Sequence, residues 1–225
     1  LYSIAASLPG GDAVAVHFGC RKIDFKPDTG FWLNGRNVRL VGAARHQDRA
    51  GLGNALTAAE HEEDMQILRD MGANTVRLAH YQHAQYFYDL CDKYGLVAWA
   101  EIPYITEHMP EATANTLSQM EELVLQNYNH PSIICWGLSN EITVTTGVTE
   151  NLTANHRLLN DLCHRLDVTR PTTMAHAFML DPNDPFVQLP DICSYNLYYG
   201  WYLGELQQND EFFDTFHKNH PDRVI

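Results

Sequence analysis

Positive charge is what this chain has least of. Its 15 Lys and Arg stand against 28 Asp and Glu, a formal net charge of −13. That imbalance argues against nucleic-acid backbones and anionic membrane surfaces as partners. No stretch approaches the roughly 20 apolar residues of a membrane span, and no secretory signal pattern is present. A cytoplasmic location is therefore expected. Cysteine is sparse and shows no paired spacing: Cys20, Cys91, Cys135, Cys163 and Cys193 make an odd count. Core thiols in a reducing compartment fit this better than a disulfide framework or a metal site. No Gly-rich phosphate turn follows the first strand, since Gly51-Leu52-Gly53 has the wrong context for that fingerprint. No His-x-His lies on a strand, although there are 12 histidines.

What is present is a core-forming composition, 45% hydrophobic over 225 residues, enough for one domain or a domain plus a fragment. The chain starts at Leu1, so it is expected to be a piece of a longer protein. Its organising stretch is Ile133-Ile134-Cys135-Trp136-Gly137-Leu138-Ser139-Asn140-Glu141. Such an apolar run, introduced by His130-Pro131, reads as a parallel strand covered on both faces. It ends in an amide and a carboxylate, where open α/β sheets and barrels place active sites. Asn-Glu is also a common loop-capping dipeptide, so the rest of the chain has to decide.

Residues 1–24 alternate weakly around a Pro9-Gly10-Gly11-Asp12 turn, as in the tail of an all-β, immunoglobulin-like sandwich domain lying upstream. Residues 25–225 are expected to form the second unit. Phe31 to Val38 carries an Asn34-Gly35 hairpin turn, and Arg39 to Ala44 reads as a strand. Thr57-Ala58-Ala59-Glu60 is a capping box opening a helix with Met65, Leu68 and Met71 on one face, stopped at Gly72. Asn74–Ala79 is a strand. Phe87, Leu90, Cys91 and Tyr94 mark a helix stopped at Gly95, and Leu96–Ala100 is the next strand. A helix through Leu117, Met120, Val124 and Tyr128 leads to the Ile133 strand. A helix through Leu159, Leu162, Cys163 and Leu166, strands at Thr172–Ala175 and Ile192–Tyr195, and a helix over Leu206–His217 complete the alternation. Arg223-Val224-Ile225 begins one more strand.

About six complete strands and the start of a seventh, alternating with helices, imply a parallel sheet with right-handed crossovers. A (β/α)₈ TIM barrel, incomplete at its C-terminal end, is the expected fold, since a barrel needs eight strands. Its strand ends carry Arg45, His46 and Asp48; Arg77 and His80; Glu101; Asn140 and Glu141; Asn196 and Tyr198. Carboxylate, amide and imidazole groups with flat rings such as Trp99, Trp136, Tyr198 and Trp201 suit carbohydrate. Cleaving a glycoside needs two carboxyl groups, for which Glu141 is the first candidate and Glu101 a tempting second. Two other classes compete: a metal-dependent barrel hydrolase and a sugar-binding fragment without turnover.

The motifs also carry a family resemblance. Gly30-Phe31-Trp32-Leu33-Asn34-Gly35, Gly42-Ala43-Ala44-Arg45-His46-Gln47-Asp48, Met71 through Tyr81, Leu90 through Leu96, Asn129 through Ile134, Trp136 through Glu141 and Asn196 through Tyr202 run in order along the chain. Together they resemble glycoside hydrolase family 2, the β-galactosidase, β-glucuronidase and β-mannosidase group.

The resemblance implies a retaining exo-glycosidase with Glu141 as general acid/base and Asn140 on the sugar 2-hydroxyl. It implies that His46, Asp48 and His80 bind sugar hydroxyls, that Asn196, Tyr198 and Tyr202 line the substrate, and that Arg77 and Tyr198 orient the nucleophile. That nucleophile is a Glu on the seventh barrel strand, expected just past residue 225, so Glu101 is not cast in the role. The family's magnesium ligands fall here on Ile105 and Glu107, so no magnesium site and no cofactor is expected, Glu107-His108 being the only near match. The Trp99-Ala100-Glu101-Ile102-Pro103 stretch tilts the expected substrate toward β-galactosides over β-glucuronides or β-mannosides. A carbohydrate partner is implied, homo-oligomerisation could run through domains outside the chain, and the chain alone is expected to be inactive.

Overall fold

A computed structural model describes all 225 residues. Strands β1 (Tyr2–Ser7) and β2 (Ala13–Phe18) form an exposed antiparallel hairpin, turned at Gly10-Gly11. Strands β3 (Ile23–Lys26), β4 (Gly30–Leu33) and β5 (Arg36–Asn37) make a small antiparallel sheet, so β3 straddles the expected boundary at residue 24. The β4–β5 turn has Asn34 and Gly35 both at positive φ, 51° and 78°, as an Asn-Gly hairpin requires.

The rest is a regular alternation. Parallel strands β6 (Gly42–Arg45), β7 (Thr75–Leu78), β8 (Val97–Glu101), β9 (Ile133–Asn140), β10 (Thr172–Ala177) and β11 (Ile192–Asn196) lie side by side in chain order. Helices α1 (Ala58–Asp70), α2 (Gln85–Tyr94), α3 (Thr113–Asn127) and α4 (Glu150–Leu166) form the crossovers between β6 and β10, and α5 (Gln208–Asn219) follows β11. Neighbours in space are neighbours in sequence, the order of a barrel rather than of a doubly wound sheet. The sheet curls into half a barrel, and Val224 bridges Ile192 in parallel as the start of a seventh strand.

Local signals explain the helices. The carboxylate of Glu60 accepts the Thr57 backbone N–H at 2.7 Å and its hydroxyl at 2.6 Å, closing the N-terminus of α1. Helix α2 stops where Gly95 turns left-handed at φ 74°. Helix α1 ends one residue earlier than its hydrophobic pattern suggested: Met71 is its C-cap and is 64% exposed, so only Met65 and Leu68 of the expected face are buried.

Val76, Leu78, Ala98, Ala100, Trp136 and Leu138 on the outer faces of the strands pack under the helices in one continuous core. At the strands' N-terminal end, Phe31 of β4 joins Val97, Ile134 and Cys135, so the small sheet closes that end of the half-barrel. The polar ends of the strands are left at the opposite, open rim. Four cysteines are buried, Cys20 is exposed, and none is paired. No helix is long and apolar enough to cross a membrane.

Candidate active site

Strand β9 is wholly buried and is anchored at its start by Arg170. The guanidinium donates to the carbonyls of Ile133 at 2.9 Å, His130 at 2.7 Å and Tyr128 at 2.9 Å, and to Asp167 at 2.6 Å. The far end overruns β8 and pairs with the loop after it: Asn140 N donates to Tyr104 O at 3.0 Å, and Thr106 N to Asn140 O at 3.1 Å. Glu141 N then reaches Ala175 O at 2.8 Å, and Glu141 itself takes φ 45°. A left-handed conformation at a non-glycine residue costs of order 1 kcal/mol and persists only where the surroundings hold it. Here it turns the Glu141 side chain toward β11.

The Glu141 carboxylate is held on one oxygen. Oε1 accepts from Tyr198 OH at 2.7 Å and from Asn196 Nδ2 at 2.9 Å, while Oε2 has no protein partner. Burial, then the bond to Glu141, pushes the Tyr198 phenol up to about 12, so it remains a donor at neutral pH. Asn140 is fixed through its oxygen, which accepts from Arg77 at 2.7 Å and Asn196 at 2.9 Å. Its NH₂ is therefore left free to donate.

Arg77 links three strands. It donates twice to Glu101, each at 3.1 Å, and once to Asn196 Oδ1 at 3.0 Å, and it lies on the Trp99 ring at 4.6 Å from the centroid. Glu101 is fully buried and its Oε1 also meets His80 Nδ1 at 2.6 Å. Glu101 thus both serves the network and pairs with Arg77. Arg45, also at a strand end, points away beneath the helices, where it binds Asp64 at 2.7 Å beside His61 and His83.

The sequence-predicted residues therefore divide. Glu141, Asn140, Asn196, Tyr198, Arg77 and His80 form one hydrogen-bonded cluster with Glu101. His46 reaches its edge, its ring 5.1 Å from that of His80. Asp48 is exposed on the same rim, has no hydrogen-bond link to the cluster, and lines a depression with His46 and Asp64. Tyr202 is 73% exposed and packs on Tyr198 with ring centroids 5.1 Å apart. Trp136 is not a sugar platform: it is fully buried under the helices, its indole N–H on Asp167 at 3.1 Å. Period 2 along β9 puts it on the face opposite Gly137. No group of three or more His, Cys, Asp or Glu side chains is placed to hold a metal; Glu107 is exposed, and His108 is bound to Tyr104 OH and Asn151.

Gly137 was not singled out in the sequence. A Cβ there would lie 2.4 Å from Glu101 Cβ and 2.5 Å from Trp99 Nε1. A glycine inside a strand run signals such a close approach, and here it makes the room that Glu101 and Trp99 occupy beneath Arg77.

This cluster sits on a chain whose residues 26–223 match the family described as "Glycosyl hydrolases family 2, TIM barrel domain". The chain belongs to glycoside hydrolase family 2. Among curated family 2 relatives, a β-glucuronidase of Bacteroides fragilis is 42% identical over 95% of this chain and 31% of its own length. A β-galactosidase of Thermoanaerobacterium thermosulfurigenes is 36% identical over 69% of this chain and 21% of its own length. Among solved structures, an FMN-binding β-glucuronidase of Facaelibacterium prausnitzii L2-6 superimposes with a TM-score of 0.91 at 45% identity, over 95% of this chain and 33% of that one. The chain thus spans about a third or less of the length of the relatives it matches.

Proposed function

We propose that this chain carries the acid/base half of a retaining β-glycosidase that removes a terminal sugar from β-linked substrates. The observation that carries the reading is the one-sided grip on Glu141. With Tyr198 OH and Asn196 both donating to Oε1, the free Oε2 is the oxygen available to carry and deliver a proton. In the first step Oε2–H protonates the glycosidic oxygen as its bond to the sugar carbon breaks, and a second carboxylate takes that carbon. In the second step the Glu141 carboxylate removes a proton from the water that releases the sugar. The free NH₂ of Asn140 donates to the 2-hydroxyl, and His46, Asp48, His80, Asn196, Tyr198 and Tyr202 bind the rest of the substrate. The second carboxylate is assigned to a strand beyond residue 225, with Arg77 and Tyr198 assigned to orient it. Residues 1–24 are assigned to a neighbouring β-sandwich domain.

The substrate favoured is a β-glucuronide, because relatives 42% and 45% identical to this chain bear the name β-glucuronidase. A β-galactoside is the second reading, supported by the Trp99–Pro103 stretch and by the 36% identical β-galactosidase.

The test is made on the full-length protein carrying this chain. Glu141→Gln should lower kcat/KM on an unactivated aryl glycoside by about 10³-fold or more. It should spare a dinitrophenyl glycoside, whose leaving group needs no proton, and azide should restore turnover as a β-glycosyl azide. An equal, modest loss on both substrates would return Glu141 to a structural role. Rates on nitrophenyl β-glucuronide, β-galactoside and β-mannoside decide the sugar.

A further inference from the structure

Glu101 lies behind the site, fully buried, with no path to a substrate except through other side chains. Both of its oxygens are engaged. Oε2 accepts from Arg77 Nε at 3.1 Å, and Oε1 accepts from Arg77 Nη2 at 3.1 Å and from His80 Nδ1 at 2.6 Å. The geometry points to Glu101 as a positioning residue that sets the hydrogen-bond directions and the charge of the site. It does so by fixing Arg77 and by holding the proton of His80 on Nδ1. This rests on the reading of Glu141 as the acid/base.

The directions follow from donor counting. An Arg guanidinium only donates, so each amide facing Arg77 must present its oxygen. That fixes Asn140 with Oδ1 inward, and Asn196 with Oδ1 on Arg77 Nη1 and its own NH₂ turned to Asn140 and Glu141. A flip of either amide would set NH₂ against N–H. His80 Nδ1 also lies 3.2 Å from Arg77 Nη2, but the shorter 2.6 Å contact to a carboxylate oxygen claims its proton. When neutral, His80 then offers Nε2 as a bare acceptor, suited to a donating sugar hydroxyl.

The titratable groups gathered around Glu141 are Tyr198 from the segment after β11, Arg77 and His80 from β7 and its loop, Glu101 from β8, and His46 at the rim. Arg77 is the permanent cation among them, and Glu101 balances it. Without that balance the Arg77 charge would draw the proton off the acid/base carboxyl.

In the full-length protein, Glu101→Gln keeps the shape and removes the charge. It should lower kcat/KM about 100-fold through misplacement of the amides, and shift the basic limb of the pH profile down by about one unit. Glu101→Asp should keep the limb at its wild-type position. A rate loss with the limb unmoved in Glu101→Gln would overturn the inference, because a mere prop for the barrel changes rates without changing proton affinity. A second readout needs no variant: nitrogen-15 NMR of the intact protein should find neutral His80 protonated on Nδ1, and a proton on Nε2 would overturn it equally. Full activity in Glu141→Gln would sink the acid/base reading instead, while the His80 tautomer stands or falls independently.

Discussion

The hydroxyl of Tyr198 lies 2.7 Å from Oε1 of Glu141, joining residues 57 positions apart in the chain. Burial and this bond together push the phenol up to about 12. Its ionisation should be absent from a spectrophotometric tyrosine titration until about pH 12, judged by the difference between wild type and Tyr198→Phe. In the full-length protein, removing the donor leaves Glu141 held by Asn196 alone, and kcat/KM should fall about 10- to 100-fold. A normal phenol titration for Tyr198 would contradict the bond.

Gly137→Ala should disable the site from inside the sheet. The added methyl meets Glu101 Cβ at 2.4 Å and Trp99 Nε1 at 2.5 Å, and Glu101 is fully buried. Overpacking of this kind costs roughly 1–3 kcal/mol, readable as a lower denaturant midpoint, and the displaced Glu101 should take activity with it. A variant as stable and active as wild type would show that the strand can shift to admit a Cβ.

Asp167 and Arg170 are a buried pair, and Asp167 also takes the Trp136 indole and the Thr169 hydroxyl and amide. Burial works to raise the Asp167 carboxyl, but the bonds from Thr169 and Arg170 outweigh it and hold it below the usual range. Asp167→Asn should cost roughly 3–5 kcal/mol, since it strands a buried guanidinium that anchors β9. With the folded value depressed, the pair's contribution is complete above about pH 4 and is lost only below it.

Three buried histidines act in a higher window. Burial lowers His83 and His176 to about 3 and His156 to about 4. The unfolded chain binds protons that these folded rings refuse. Their contribution is therefore complete above about pH 6.5 and falls with decreasing pH by about 1.4 kcal/mol per unit per ring. His156→Gln should flatten the slope of unfolding free energy between about pH 6 and 4 by one proton. An unchanged slope would mean that His156 titrates normally when folded.

Much of the architecture could be read directly. The Asn34-Gly35 turn, the Thr57–Glu60 capping box, the Gly95 stop and the uniformly apolar β9 each act over a few residues, where turn chemistry and periodicity are strong. Errors came where a pattern outran its element or faced the wrong way. Met71 fits the apolar spacing of α1 but lies past its last turn, and Trp136 has the right ring for a sugar on the wrong face of its strand. Arg45 ends a strand as active-site residues do, yet its side chain finds Asp64 under the helices.

By itself the sequence determined the alternation of strands and helices, the polar rim, and the candidacy of Asn140 and Glu141, because these depend on local pattern and on which strand end a residue occupies. Only the tertiary structure decided how the site is wired. Irregular register shifts where β9 meets β8 and β10, with the left-handed turn at Glu141, bring Tyr198, Asn196 and Arg77 onto one amide and one carboxylate. Bonds between residues 24 to 119 positions apart, such as Arg77 with Glu101 and with Asn196, leave no trace in any window of the chain. They exist because curling the sheet brings distant strand ends to one rim.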